Sequence, residues 1–184
     1  MADAAVEAAG ARTGRPVVVV NPAAAYGPAK CWPPERFAEV ADRIVRLCNA
    51  AVFVACGPDE IDVARRVADR MTESAVVLDN PVMRLGPLKA LVRRADLLIT
   101  NDTGPRHFAN AFGTPVVVIF GPTDPEWTRT DAPNERSLVV PVDCGPCMKR
   151  VCPLDHRCMT RIDADRVFEA ARSLLAGRID AAVT

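Results

Sequence analysis

Four consecutive valines, Val17 to Val20, constrain the fold more than any other segment of the sequence. A continuous β-branched run is typical of a strand buried on both faces, and such strands occur almost only in parallel sheets covered by helices. Apolar residues then recur at helical spacing from Phe37 to Cys48, and Pro33 and Pro34 stand where a helix can begin. The chain therefore opens with a strand followed by a helix.

The alternation of strand and helix continues to the end of the chain. Further strands are predicted at 51–56, 75–78, 96–100, 115–120 and 137–140. Helices are predicted at 61–71, at 85–94, through 107–111, and at the end of the chain, where Asp163 can cap a helix that carries residues 167–175. Such alternation indicates βαβ units, so we predict an α/β fold with a Rossmann-like parallel sheet and helices on both faces.

The length of 184 residues fits one domain. Residues 1–15 precede the first strand and are predicted to be a linker or a short helix, and residues 16–184 are predicted to form the domain. Two loop-like segments are long, at 121–136 and 141–161. Loops of that length usually have a function.

Charge and hydropathy exclude several classes of protein. The 23 Lys and Arg residues equal the 23 Asp and Glu residues, so no overall field attracts nucleic acid. The longest apolar runs fall far short of the roughly 20 residues that a membrane helix requires. Asp3 and Glu7 stand where a secretory signal would carry basic residues. We therefore expect a cytoplasmic protein without a nucleic-acid partner.

Polar segments marked by glycine or proline follow four of the predicted strands, at 21–30, 57–60, 101–107 and 121–124. In an open parallel sheet, ligands bind outside the carboxyl ends of the strands. The four segments are therefore expected to line one edge of the sheet and to form a ligand site there.

The segment 101–107 has the clearest binding chemistry. Thr103, Gly104 and Pro105 would begin a helix directly after a buried strand, and free backbone N–H groups at such a helix end bind phosphate well. His107 would share a helix face with Thr103. The alternative is that Asp102 or Thr103 only caps the helix and that His107 packs over it.

Lys30, Asp59 and Glu60 each allow two interpretations. Lys30 follows a Gly-Pro-Ala turn outside any P-loop pattern, and a lysine taken alone is more typical of the surface. Asp59 and Glu60 are likewise typical of solvated acids in a first helical turn. The absence of GxGxxG from the sequence disfavours a nicotinamide enzyme, and the absence of GxSxG disfavours a serine hydrolase.

Seven cysteines form two groups. Three are scattered through predicted strands and helices, which favours reduced thiols. The other four lie in the segment 141–161, the Cys-rich loop, together with His156: Cys144, Cys147, Cys152 and Cys158. The opening C-x₂-C suits zinc, but the second pair is spaced by five residues. Structural zinc, reduced thiols that pack the loop, and a disulfide all stay open.

As a set, these segments resemble the C-terminal domain of glycosyltransferase family 9, the heptosyltransferases of the lipopolysaccharide inner core. The most specific match, over 95–107, is similar to the family motif D-T-G-x-x-H, and G-T-P and F-G-P-T follow within 113–123. A second match, at 21–33, is similar to P-G-A-x-x-G-x-A-K-x-W-P. The cysteines at 144–159 resemble the tail of the heptosyltransferase II-like branch. The resemblance covers roughly residues 15–176.

The resemblance implies a two-domain GT-B fold whose C-terminal domain holds the donor, ADP-L-glycero-D-manno-heptose, for inverting transfer without a required cofactor. Lys30 and Asp102 would be the catalytic candidates, Lys30 by binding the diphosphate or supporting the leaving ADP. The further donor contacts that the resemblance implies are Asp59 or Glu60 at the ribose, the backbone around Met83 at the adenine, and Asp102, Thr103, Gly104 and His107 at the diphosphate and sugar.

Two departures from the family pattern qualify this expectation. Ala23 stands where the family usually has glycine, and the family's N-terminal domain, which supplies the acceptor groove and a general base, is absent from the sequence. We therefore expect a donor half that binds ADP-sugar but does not turn over alone. The lipopolysaccharide acceptor would be reached through the missing domain, at most peripherally at the inner face of the inner membrane. The alternative is a non-catalytic nucleotide-sugar-binding or interaction module with a structural Cys cluster.

Overall fold

The structure is a computed structural model that describes residues 14–80 and 83–183. The linker or short helix predicted for residues 1–15 lies almost wholly outside this range. The strands are β1 Val17–Asn21, β2 Ala51–Val54, β3 Ala75–Val77, β4 Leu97–Asn101, β5 Val116–Ile119 and β6 Glu135–Leu138. The α-helices are α1 Pro34–Cys48, α2 Ile61–Ala68, α3 Leu85–Arg94, α4 Gly104–Phe112, α5 Arg157–Thr160 and α6 Ala164–Val183.

The six described strands form one sheet in the order β3-β2-β1-β4-β5-β6. Every neighbouring pair is parallel. In the centre of the sheet, Val18 of β1 pairs with Val52 of β2 on one side and with Leu97 of β4 on the other. The predicted α/β, Rossmann-like architecture is confirmed, and the strand order reverses between β1 and β4.

The two faces of the sheet carry separate cores. Successive side chains of a strand point to opposite faces, so Val18 and Val20 pack with α1, α2 and α6, while Val17 and Val19 pack with α3 and α4. Each fully buried valine contributes on the order of 1.5–3 kcal/mol relative to an exposed one. The valine run is therefore continuous because both of its faces are buried.

The closing helix begins where the sequence predicts, because Asp163 Oδ1 accepts a hydrogen bond from the backbone N–H of Arg166 at 2.7 Å. The last strand is displaced from its predicted position, 137–140, to 135–138. Charged residues occupy much of β6, an edge strand, so an apolar run does not mark it. Among the described residues, no helix combines the length and the apolar character that crossing a bilayer requires.

Candidate functional site

A cleft of about 970 Å³ lies at the carboxyl edge of the sheet. Three of the four polar segments contribute to its lining, those after β1, β2 and β4, and the residues before and within α3 close a further side. The volume is at the upper end of the range of roughly 300–1,000 Å³ for small-molecule sites. The lining includes Asp59, Glu60, Met83, Thr103 and Gly104 of the predicted site, but not Lys30, Asp102 or His107.

Two buried asparagines hold the first segment against β4. Asn21 Nδ2 donates to Thr100 Oγ1 at 3.1 Å and to the Ala23 carbonyl at 3.3 Å. Asn101 Nδ2 donates to the Pro22 carbonyl at 2.8 Å, and its Oδ1 accepts from the Trp32 N–H at 3.0 Å. The residues before and after the Lys30 turn are thereby fixed to the end of β4, a role that the sequence analysis did not assign to either asparagine.

Lys30 is buried, at 9 % exposure, and paired with Asp102. Its Nζ lies 2.5 Å from Asp102 Oδ2 and 3.0 Å from the Asp102 carbonyl oxygen. The interpretation of Lys30 as an ordinary surface lysine is therefore wrong. A lysine loses its hydration when it is buried, so it needs a partner of this kind.

Asp102 belongs to a wider buried network. Its carboxylate also accepts from Arg106 Nη1 at 3.2 Å and from Thr123 Oγ1 at 2.9 Å. Arg106 Nε in turn donates to Glu135 Oε2 at 2.9 Å. Burial acts to raise the pKa of Glu135, but hydrogen bonds, among them the one from Arg106, outweigh it and hold the pKa below the usual 4.5. The network thus pairs two cations with two anions, and the sequence analysis missed Arg106, Thr123 and Glu135 as members.

The beginning of α4 faces the cleft. Thr103 is the N-cap residue, and its side chain makes no capping hydrogen bond. The Asp102 oxygens are occupied by Lys30, Arg106 and Thr123, so the simple capping interpretation of 102–103 is wrong. In the first turn, Pro105 has no N–H and the Arg106 N–H donates to the Thr103 carbonyl at 3.1 Å, so the Gly104 N–H is the donor of this turn that has no partner within the helix. A Cβ at Gly104 would meet nothing within 4 Å, so the space beside this N–H is open.

The acids after β2 differ in their surroundings, although both line the cleft. Glu60 Oε2 accepts from the Gly57 N–H at 2.9 Å and closes its own turn. Asp59 takes no part in that closure. Met83 lines the cleft and also packs against the core that α3 and α4 share. His107 lies exposed on α4, outside the cleft lining.

The four thiols of the Cys-rich loop line one small cavity of about 70 Å³, together with His156 and Ala29. All seven cysteines are free thiols. Burial raises the pKa of the Cys158 thiol, and the neighbouring thiols of the cluster raise it further. Within 14–80 and 83–183, no group of three His, Cys, Asp or Glu side chains is arranged to hold a metal ion. The thiols therefore converge on one cavity without forming a metal-binding group.

The family model "Glycosyltransferase family 9 (heptosyltransferase)" matches residues 1–157. The chain is 33% identical over 171 residues to lipooligosaccharide heptosyltransferase 2 of Campylobacter jejuni, covering 89% of this chain and 52% of that relative. The chain thus spans about half the length of this curated relative.

Solved structures show the same likeness. The family 9 glycosyltransferase of Veillonella parvula superposes with a TM-score of 0.81 at 29% identity, over 96% of this chain and 50% of that one. The structure of E. coli ADP-heptose lipopolysaccharide heptosyltransferase II gives a TM-score of 0.77 at 22% identity, over 90% and 48%. The second likeness shows the fold alone. Together with the family match over most of its length, these findings show that the chain belongs to glycosyltransferase family 9, the heptosyltransferases.

Proposed function

We propose that this chain is the donor-binding half of a heptosyltransferase, which holds an ADP-activated heptose for inverting transfer to a lipopolysaccharide core. The observation that carries the proposal is the cleft at the carboxyl edge of the sheet, where the beginning of α4 and the 57–60 turn converge beside the Lys30–Asp102 pair. The name of the E. coli structure, an ADP-heptose lipopolysaccharide heptosyltransferase, supports this choice of donor.

Each part of the cleft suits one part of such a donor. The Gly104 N–H and the positive dipole end of α4 suit the diphosphate, with the Thr103 hydroxyl alongside. Asp59 suits the ribose hydroxyls, since Glu60 already closes its own turn. Met83 offers an apolar wall for the adenine. His107 lies further along α4, outside the cleft lining, so it would meet the sugar only where the heptose extends beyond the cleft.

Lys30 and Asp102 would act on the leaving group. When the bond between the sugar and the diphosphate breaks, negative charge grows on ADP, and a nearby ammonium stabilises that charge. In the structure, the Lys30 ammonium is held by Asp102. Arg106 keeps Asp102 paired if Lys30 turns towards a phosphate. Lys30 can therefore donate hydrogen bonds to the phosphate without leaving Asp102 as an unpaired buried carboxylate.

The acceptor half of the reaction needs a general base that removes the proton of the acceptor hydroxyl. We place that base in the half of the longer relatives that this chain does not span. The chain of 184 residues would therefore bind ADP but would not transfer heptose by itself. The intact enzyme would act in the cytoplasm, at the inner face of the inner membrane.

Calorimetric titration of ADP into the purified chain tests this function. We expect saturable binding, and Lys30→Ala should weaken it by about 10-fold or more, because a hydrogen bond to a charged group contributes about 1.5–3 kcal/mol. Lys149→Ala is the matched control, since Lys149 is an exposed lysine. Absence of binding at millimolar ADP would contradict the proposal, and heptose transfer by the chain alone would contradict its second part.

A non-catalytic nucleotide-sugar-binding or interaction module is the second candidate. Two exposed apolar side chains on the Cys-rich loop favour it, Val151 at 66% and Leu154 at 59% exposure, because such residues suit a partner contact. Adding the N-terminal half of a family 9 heptosyltransferase to the chain separates the two. Restored transfer supports the enzyme, whereas retained ADP binding without transfer supports the module.

A further inference from the structure

The Cys-rich loop holds the turn that carries Lys30, which we call the lysine turn (Tyr26–Lys30). The Tyr26 hydroxyl donates to the Met148 carbonyl at 2.6 Å, and the Ala29 N–H donates to the Arg150 carbonyl at 3.0 Å. His156 Nε2 lies 2.7 Å from the Ala29 carbonyl oxygen. Because a carbonyl oxygen can only accept, Nε2 must carry the proton. Three hydrogen bonds therefore fix both ends of the lysine turn to the loop.

Gly27 permits this close approach. Its φ of +148° is rarely adopted by residues with a side chain, and a Cβ at this position would lie 2.5 Å from the Arg150 carbonyl oxygen. Glycine alone allows the loop backbone to lie directly against the turn. The glycine of the motif at 21–33 thus serves a contact with the Cys-rich loop.

Tyr26 connects the loop to the lysine head group. The Lys30 Nζ lies 5.0 Å from the centre of the Tyr26 ring, and the Arg150 guanidinium lies 5.3 Å from it. Both distances lie within the range of cation–π attraction. A continuous set of contacts therefore runs from the loop through Tyr26 to Lys30 and on to Asp102.

We infer that the Cys-rich loop positions the lysine turn for diphosphate binding, with His156 and Tyr26 as positioning residues that act through Lys30. This inference rests on the proposed function. Ala29 connects the lysine turn to the Cys-rich loop, since its carbonyl oxygen accepts the His156 hydrogen bond and the residue also lines the thiol cavity. The four thiols therefore line a cavity that directly borders the lysine turn at Ala29.

Two substitutions at His156 test the hydrogen bond, and because His156 has a φ of +59°, alanine and glutamine meet the same left-handed backbone there, so the difference between the two variants reports the side chain. His156→Ala removes the donor, whereas the amide nitrogen of His156→Gln can donate as Nε2 does. We expect His156→Ala to lower the ADP affinity by about threefold to tenfold, as the loss of one net hydrogen bond would. His156→Gln should recover most of it. Val151→Ala, an exposed and uncharged change in the same loop, should leave the affinity as it is.

The position of the turn can be read without ADP, because Tyr26 is the single tyrosine of the chain. A chain labelled with ¹³C on its tyrosine ring gives one set of ring signals in NMR. We expect His156→Ala to shift these signals and His156→Gln to restore them, while Val151→Ala leaves them in place. Unfolding by urea should show that all variants are folded under the titration conditions.

The outcomes separate the inference from the function on which it rests. Shifted Tyr26 signals with an unchanged ADP affinity overturn the inference and leave donor binding intact. Unshifted signals in His156→Ala overturn it as well, since the loop would then not hold the turn. If the wild-type chain does not bind ADP, the proposed function fails, and the Tyr26 signals alone decide whether the loop fixes the turn.

Discussion

The ammonium of Lys30 lies 2.5 Å from a carboxylate oxygen of Asp102, which stands 72 positions further along the chain. The same carboxylate accepts a hydrogen bond from Arg106, so one buried anion serves two buried cations. Arg106 has a second anion, Glu135, and Lys30 does not share it. Lys30 therefore depends on Asp102 for a compensating charge, whereas Asp102 keeps the charge of Arg106 if Lys30 is removed.

Asp102→Asn should destabilise the protein more than Lys30→Met. Asparagine leaves Lys30 without a compensating charge, and loss of one partner of a buried pair costs about 3–5 kcal/mol. Lys30→Met leaves Asp102 bonded to Arg106 and Thr123, so a loss of about 1–3 kcal/mol is expected. Urea unfolding measures both changes. Equal losses, or the reverse order, would show that Asp102 does not depend on Arg106 in this way.

Asp42 should make the stability depend on acidic pH. Burial acts to raise the pKa of Asp42, but hydrogen bonds from Thr72 and from the Glu73 N–H outweigh burial and lower it below the usual 3.8. A lowered pKa means that the unfolded chain binds more protons, so the stabilisation is complete above pH 3.8 and disappears as the pH falls through the folded pKa. The free energy of unfolding of wild type and Asp42→Asn should converge over that interval, and a constant difference between them would contradict this origin.

Gly27→Ala and Gly113→Ala form a matched pair of changes. Both glycines have positive φ, but a Cβ at Gly113 would meet nothing within 4 Å, whereas one at Gly27 would collide with the Arg150 carbonyl. Gly113→Ala should cost about 1–2 kcal/mol from backbone strain alone. Gly27→Ala should cost about 2–5 kcal/mol, since steric crowding adds to the strain. Thermal or urea unfolding decides, and similar losses would mean that the loop yields easily.

Structural zinc at the Cys-rich loop stays one of the three alternatives that the sequence leaves open. If zinc holds the loop, about one metal ion per chain should survive dialysis, and Cys147→Ser should release it and lower the melting temperature. Elemental analysis measures the metal, and Cys48→Ser, at a cysteine outside the cluster, is the control. A metal-free protein whose melting is unaffected by a chelator would reject zinc and favour thiols that only pack the loop.

The sequence predicts those parts of the fold and site that depend on local pattern. The valine run at 17–20 needs burial on both faces, and Asp163 caps its helix through a local hydrogen bond, so both features can be read from neighbouring residues. The polar segments that follow the strands are predictable for the same reason, since a parallel sheet brings its strand ends to one edge.

The remaining features depend on partners that are far apart in the sequence. Statistics for a single lysine favour the surface, and Lys30 is buried only because the sheet order places Asp102 beside it. Glu135 belongs to an edge strand that begins with charged residues, so no apolar run reveals the strand in the sequence. The side chain of Glu135 pairs with Arg106, which lies on another element. Local periodicity carries no signal for such pairings.

The neighbourhood of β1 and β4 has a consequence for how the molecule assembles. Asn21 and Thr100 close a loop of 79 positions when they bond, and Lys30 and Asp102 close one of 72. Closing a long loop costs chain entropy before the contact between its ends stabilises the structure. Contacts between residues that are far apart in the sequence therefore slow folding. The cleft at the carboxyl edge of the sheet can therefore form only after β1 and β4 have paired. If the cleft binds ADP as proposed, recovery of ADP binding during refolding should not precede the recovery of helical circular dichroism, which makes the ligand a reporter of the pairing of β1 with β4.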